Sequence, residues 1–134
     1  MFSMSYTMDK RVDGSFDQVV EQTTDALSEE GFGVLSDIDV QQTLKQKLDA
    51  DFRQYRILGA CNPPLAKQAL EVDVQLGALL PCNVIVYETD EGDIGVSAVD
   101  PTVMLSVADQ PELDRIASEV HERFERVLAA LPAA

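Results

Sequence analysis

The residues of this chain best suited to chemistry are two Cys-Asn dipeptides, Cys61-Asn62 and Cys82-Asn83. Two thiols offer a nucleophile, a dithiol/disulfide couple or a pair of metal ligands, and carboxamides beside them both donate and accept hydrogen bonds. Asn62 is followed by Pro63-Pro64, Cys82 is preceded by Pro81, and a third polar residue, Asp100, stands before Pro101. Asn or Asp immediately before Pro is the signature of a helix cap and first helical position. Helices starting at Pro63 and Pro101 would turn positive dipole ends towards the same place, favouring a thiolate or holding an anion. Cys61, Asn62, Cys82, Asn83 and Asp100 are therefore the expected ligand-binding set. The same residues also have a purely structural reading, in which the cysteines are small buried hydrophobes and the Asn and Asp side chains cap backbone amides.

Other chemistry finds little support. Two cysteines and His121 make a thin zinc set without a CxxC spacing, and His121, on the flank of a helix beside Val120 and Phe124, reads as a boundary side chain. Tyr55 and Arg56 fall on opposite faces of one strand and could serve binding, although packing and snorkelling are their ordinary roles. No nucleophile elbow, phosphate-binding glycine loop, zincin helix or dinucleotide fingerprint occurs, and the residues name no particular cofactor.

The elements that must position the Cys/Asn set follow from periodicity and turn residues. Tyr6 to Val12 alternates, with Tyr6, Met8 and Val12 on one face and Thr7, Asp9 and Arg11 on the other. Ser15 and Gln18 match a capping box, after which Phe16, Val19, Val20, Thr23 and Leu27 form one helical stripe ending at Gly31. Phe32 to Ile38 reads as a second strand and Val40 to Leu48 as a short helix capped by Asp39. Phe52 to Cys61 reads as the third strand, followed by a helical crossover to Leu80. Cys82 to Thr89 and Ile94 to Val99 form a hairpin around Asp90-Glu91-Gly92-Asp93. Asp100-Pro101 opens a short helix, and Asp109 and Glu112 bracket the start of a long one with a continuous apolar face from Leu113 to Leu131.

Five strands and two long helices predict an α+β layout, an antiparallel five-stranded sheet with both long helices packed on one face. With Glu91-Gly92 as a two-residue loop, Asp90 pairs with Asp93, Val86 with Ser97 and Asn83 with Asp100; a three-residue loop slips this register by one. In either register Asp100 lies beside the Cys82-Asn83 end. An antiparallel neighbouring third strand brings Cys61-Asn62 there too.

Composition bounds the function. The chain has 134 residues, enough for one domain that buries roughly two thirds of its unfolded surface. It carries 24 Asp and Glu against 10 Lys and Arg, a formal net charge of -14. Such a surface repels phosphate backbones and anionic bilayers, so neither nucleic acid nor membrane is an expected partner. Strong self-repulsion is tolerated where counterions screen it, so halophilic adaptation is a further expectation. No basic region followed by an apolar run marks the N-terminal residues, and no stretch is long enough to span a bilayer, which together point to the cytoplasm.

The runs Tyr55-Arg56-Ile57-Leu58-Gly59-Ala60-Cys61-Asn62-Pro63, Leu79-Leu80-Pro81-Cys82-Asn83-Val84 and Val96-Ser97-Ala98-Val99-Asp100-Pro101 resemble the domain of unknown function 302 family. The resemblance spans about Tyr6 to Leu131 and makes residues 1–134 a single domain of that family. It implies a β-α-β-β-β-β-α domain, similar to the TATA-binding-protein-like arrangement, with the short helices as insertions, and it implies a homodimer. The functional expectation is a small-ligand binding or sensing module with its Cys/Asn site at one end of the sheet. Its competitors are a thiol-dependent enzyme or redox protein using Cys61 and Cys82, and a structural dimer-forming domain without chemistry.

Overall fold

The computed structural model describes residues 5–134; Met1 to Met4, on which the reading of a missing leader largely rests, lie outside them. Five strands, β1 (Thr7–Val12), β2 (Gly33–Asp39), β3 (Tyr55–Cys61), β4 (Cys82–Glu88) and β5 (Ile94–Val99), form one sheet in the order β1-β5-β4-β3-β2. Every neighbouring pair is antiparallel. The helices are α1 (Phe16–Glu29), α2 (Val40–Leu48), α3 (Pro63–Val72), α4 (Pro101–Ser106) and α5 (Asp114–Ala130), with 3-10 turns at Val74–Leu79 and Pro111–Leu113. The chain is thus the expected β-α-β-β-β-β-α sheet with short helical insertions.

Local chemistry accounts for most boundaries. Ser15 Oγ accepts from the Gln18 amide while Gln18 Oε1 accepts from the Ser15 amide, so two N-terminal donors of α1 are satisfied reciprocally. Asp39 caps α2 through the Gln42 amide at 2.9 Å. The hydrophobic stripes of α1 and α5 then turn onto the even-numbered faces of β1, β4 and β5, where Val12, Val84, Val86, Val96 and Ala98 are buried with Val19, Leu27, Phe124 and Val127. Phe32 and Phe124 meet at 4.9 Å between ring centroids. Burying each such side chain is worth about 1.5–3 kcal/mol, so these two helices and this one sheet face hold most of the core.

Charged side chains fasten the layer. Lys10, on the helix side of β1, donates to the Leu128 and Leu131 carbonyls at 2.8 and 2.6 Å, a cation at the negative end of the α5 dipole. Arg123 donates to the Glu30 carbonyl and Arg126 to the Glu30 carboxylate, joining α5 to the end of α1. No helix of the described residues is long and apolar enough to cross a membrane.

One open alternative is resolved and three expectations are corrected. The hairpin loop has three residues, Asp90-Glu91-Gly92, closed by Thr89 N–H to the Asp93 carbonyl at 2.8 Å, with Gly92 at φ +88°. The register is therefore Val86 with Val96 and Val84 with Ala98, which carries Cys82, not Asn83, towards the level of Asp100. Strand β3 begins at Tyr55 instead of Phe52, because β2 has already turned into α2 and leaves residues 52–54 no partner on that side. Asp109, at φ +51°, does not cap α5; the turn at Pro111–Leu113 intervenes, and α5 opens at Asp114 with no side-chain cap. Tyr6 precedes β1 and lies on the opposite side of the sheet from Met8 and Val12.

Candidate functional site

The expected set separates across the two faces of the sheet. Cys82 stands opposite Ala60 on the helix-covered face, and Cys61 ends β3 one residue further on. Both cysteines are free thiols and line a cavity of about 40 Å³ roofed by Phe32, Leu65, Pro101 and Val120. That volume has room for a few water molecules at most, not for an organic ligand. Burial, and then the neighbouring Cys61, push the Cys82 thiol from the ordinary value of 9.0 up to about 11. Roughly 10⁻⁴ of it is thiolate at neutral pH, so the environment suppresses its nucleophilicity.

Asn62 is committed locally. It is buried, its Oδ1 accepts from the Leu65 amide at 3.2 Å as the cap of α3, and its Nδ2 lies 3.0 Å from where a side chain on Gly31 would begin. Asp100 caps α4 by accepting from the Thr102 amide at 2.9 Å and the Thr102 hydroxyl at 2.6 Å. Its other oxygen is 4.0 Å from His121 Nε2, and His121 Nδ1 is 3.1 Å from Glu125. Both caps follow the Asn-Pro and Asp-Pro logic of the sequence. Strand alternation sends Asn83 to the other face, opposite Gly59, where it is exposed.

Among the described residues no helix layer covers that other face, and across it runs an open groove of about 470 Å³. Asp9 of β1, Ser97 of β5 and Ile85 of β4 lie in one cross-strand row. Tyr55 and Tyr87 pair in the neighbouring row at 5.9 Å between centroids. Leu79, Pro81 and Met104, from the segments entering β4 and leaving β5, close one end. Burial, then Tyr87 and Tyr6, raise the Tyr55 hydroxyl. All three tyrosines of the chain line this groove.

One glycine makes the arrangement possible. A Cβ on Gly95 would stand 2.8 Å from Tyr87 Cζ and 3.0 Å from its hydroxyl, so the Tyr87 ring extends from β4 across β5 and occupies the space above Gly95. The side chains of Asp9, Asn83 and Ser97 have no hydrogen-bond partner among the described residues, so the groove presents a carboxylate, a carboxamide and a hydroxyl unspent. Of these residues only Tyr55 and Asn83 stood out in the sequence. The signal for the others is the odd-numbered positions of β1, β4 and β5, which become one surface once the register is known. Among the described residues no three His, Cys, Asp or Glu side chains converge as a metal site.

The comparisons with known proteins agree on the family. The family described as "Domain of unknown function DUF302" matches residues 8–131. The crystal structure of an uncharacterized conserved DUF302 protein from Bacillus stearothermophilus is similar over 96% of this chain and 99% of that one, at 28% identity and a TM-score of 0.88. No curated protein matches the chain. With nearly the whole chain matched by the family and the same fold in a relative, this protein belongs to the DUF302 family.

Proposed function

We propose that the protein is a small-ligand binding or sensing module whose ligand lies in the groove on the uncovered sheet face. The observation that carries this reading is the contrast in free space and free polar groups. The groove offers about 470 Å³ with Asp9, Asn83 and Ser97 unpartnered among the described residues, whereas the cysteine cavity offers about 40 Å³. Its volume is that of ordinary small-molecule sites, and aromatic walls with a few convergent polar groups are their usual lining. Of the Cys/Asn set, Asn83 is the member that would touch ligand, while Asn62 and Asp100 act as caps. The buried Cys82, its thiol raised, is poorly suited to act as a nucleophile.

A thermal-shift screen of small fragments, run on the wild type, Gly95→Ala and Cys82→Ala, tests the assignment. The added methyl at residue 95 must push the Tyr87 ring off its seat, at little cost because the displaced atoms are the end of a flexible side chain. Stabilising fragments should lose their effect in Gly95→Ala and keep it in Cys82→Ala; the reverse pattern returns the site to the cysteines.

Homodimerisation has its own supporting observation. Edge strand β2 exposes Leu35 and Ile38, 71% and 48% accessible, beside unpaired backbone. Analytical ultracentrifugation should find a dimer that Leu35→Glu dissociates; a wild-type monomer at high micromolar concentration removes this reading.

A further inference from the structure

The charges around the sheet groove are arranged unevenly, and the imbalance has a chemical meaning. Arg11, two residues along β1 from Asp9, is held away by the hairpin loop, with Nη1 3.3 Å from Asp93 and 3.7 Å from Glu91. Arg53, close enough to Tyr55 to oppose the rise in its pKa, is bound to Asp90 at 2.5 Å. Among the described residues, both cations bordering the groove are therefore neutralised by Asp90, Glu91 and Asp93 at the β4–β5 turn. Asp9 has no ion pair among the described residues and is the single charged residue in the groove lining. Beside it, the Tyr87 ring reaches over Gly95 towards β1, and Tyr6 and Tyr55 bring two further rings.

A carboxylate without a counterion, bordered by aromatic rings, is the constellation that receives an organic cation, which ion-pairs with the first and is attracted by the quadrupoles of the second. The remaining lining sets the shape of that cation. Ile85, Val99, Leu79 and Met104 provide an apolar track leading away from Asp9, so the body of the ligand is hydrocarbon and its charge is at one end. An anion would face Asp9 and a chain of net charge -14. A second copy laid face to face would desolvate one Asp9 against another acidic surface of the same sign.

Resting on the reading of the groove as a ligand site, we propose that this site takes a primary or substituted ammonium compound with an apolar tail. The ammonium sits between Asp9, Ser97 and the tyrosine rings, and the tail lies along Ile85 and Val99 towards Met104.

The chain has no tryptophan and its three tyrosines all line the groove, so intrinsic fluorescence reports this face alone. Wild type and Asp9→Asn would be titrated, at constant ionic strength, with hexylammonium chloride, hexan-1-ol and sodium hexanoate, which share one tail. Asp9 is exposed and its side chain makes no hydrogen bond or ion pair among the described residues, so the variant should fold as the wild type does. The expected result is that hexylammonium changes tyrosine emission with an affinity about tenfold above hexan-1-ol, that hexanoate binds more weakly still, and that Asp9→Asn removes the tenfold advantage while leaving hexan-1-ol unchanged. Equal affinities for the three compounds, or an ammonium preference that survives Asp9→Asn, overturns the ammonium assignment. In that case saturable binding of hexan-1-ol at the tyrosines still supports the groove itself. Silence from all three probes together with fragments that bind elsewhere overturns both.

Discussion

The two faces of this sheet are built from the same strands and differ in what covers them. On one, Val84, Val86, Val96 and Ala98 are sealed beneath α1 and α5, and the cysteines near its edge share a cavity no larger than a few water molecules. On the other, Asp9, Asn83 and three tyrosines stay accessible around a groove more than ten times as large, with the buried Ser97 in its floor. The difference teaches that nucleophilic residue types are a poor guide to the site here. Reactivity depends on exposure and on the stability of the charged form, and both are withheld from Cys82.

The widest separation between the faces should be in stability. Truncating Phe124, fully buried against Phe32, is expected to cost about 3–5 kcal/mol, whereas Tyr87→Ala on the open face should cost about 1 kcal/mol. Urea denaturation of both variants checks this. Equal losses would mean that the open face is covered and the contrast is false.

A smaller effect comes from pH. Because the Cys82 thiol is raised in the folded state, the folded protein holds that proton more tightly than the unfolded chain. The stability this confers is complete below pH 9 and is lost as pH rises from about 9 towards 11, on the order of 2 kcal/mol. The Tyr55 hydroxyl, also raised, acts in the same direction at higher pH, so the comparison is between wild type and Cys82→Ala, whose stability should fall less steeply across that window. Identical slopes would indicate that the cysteine edge is open to solvent.

Salt should act on the whole molecule and on the groove with opposite signs. Screening the excess of acidic residues is expected to raise the melting temperature by about 5 °C between low and molar salt, while weakening the attraction of an ammonium ligand to Asp9. A melting temperature independent of salt removes the halophilic expectation.

What was legible in the sequence was whatever is decided within a few residues. The Ser15–Gln18 box, the Asn62-Pro63 and Asp100-Pro101 caps and the apolar face of α5 each follow from local spacing, and each is present. The hairpin register was not, because a two-residue turn at Glu91-Gly92 and a three-residue loop ending at Gly92 use the same residues and differ only in closure. That one-residue difference decides which side chains stand in the row with Asp9. Nor does the pattern say which face is bare, since Ile85 and Val99 make the open side partly apolar as well. The groove emerges from four strands and Gly95, none of which is informative alone.

The central claim is that ligands meet the tyrosine face and not the cysteine edge. It is tested most directly by amide chemical-shift mapping of the ¹⁵N-labelled protein with hexylammonium. Shifts concentrated at Asp9, Asn83, Tyr87 and Ser97, with Ala60, Cys82 and Leu65 unmoved, are the predicted result; shifts centred on Cys61, Cys82 and α3 would contradict it.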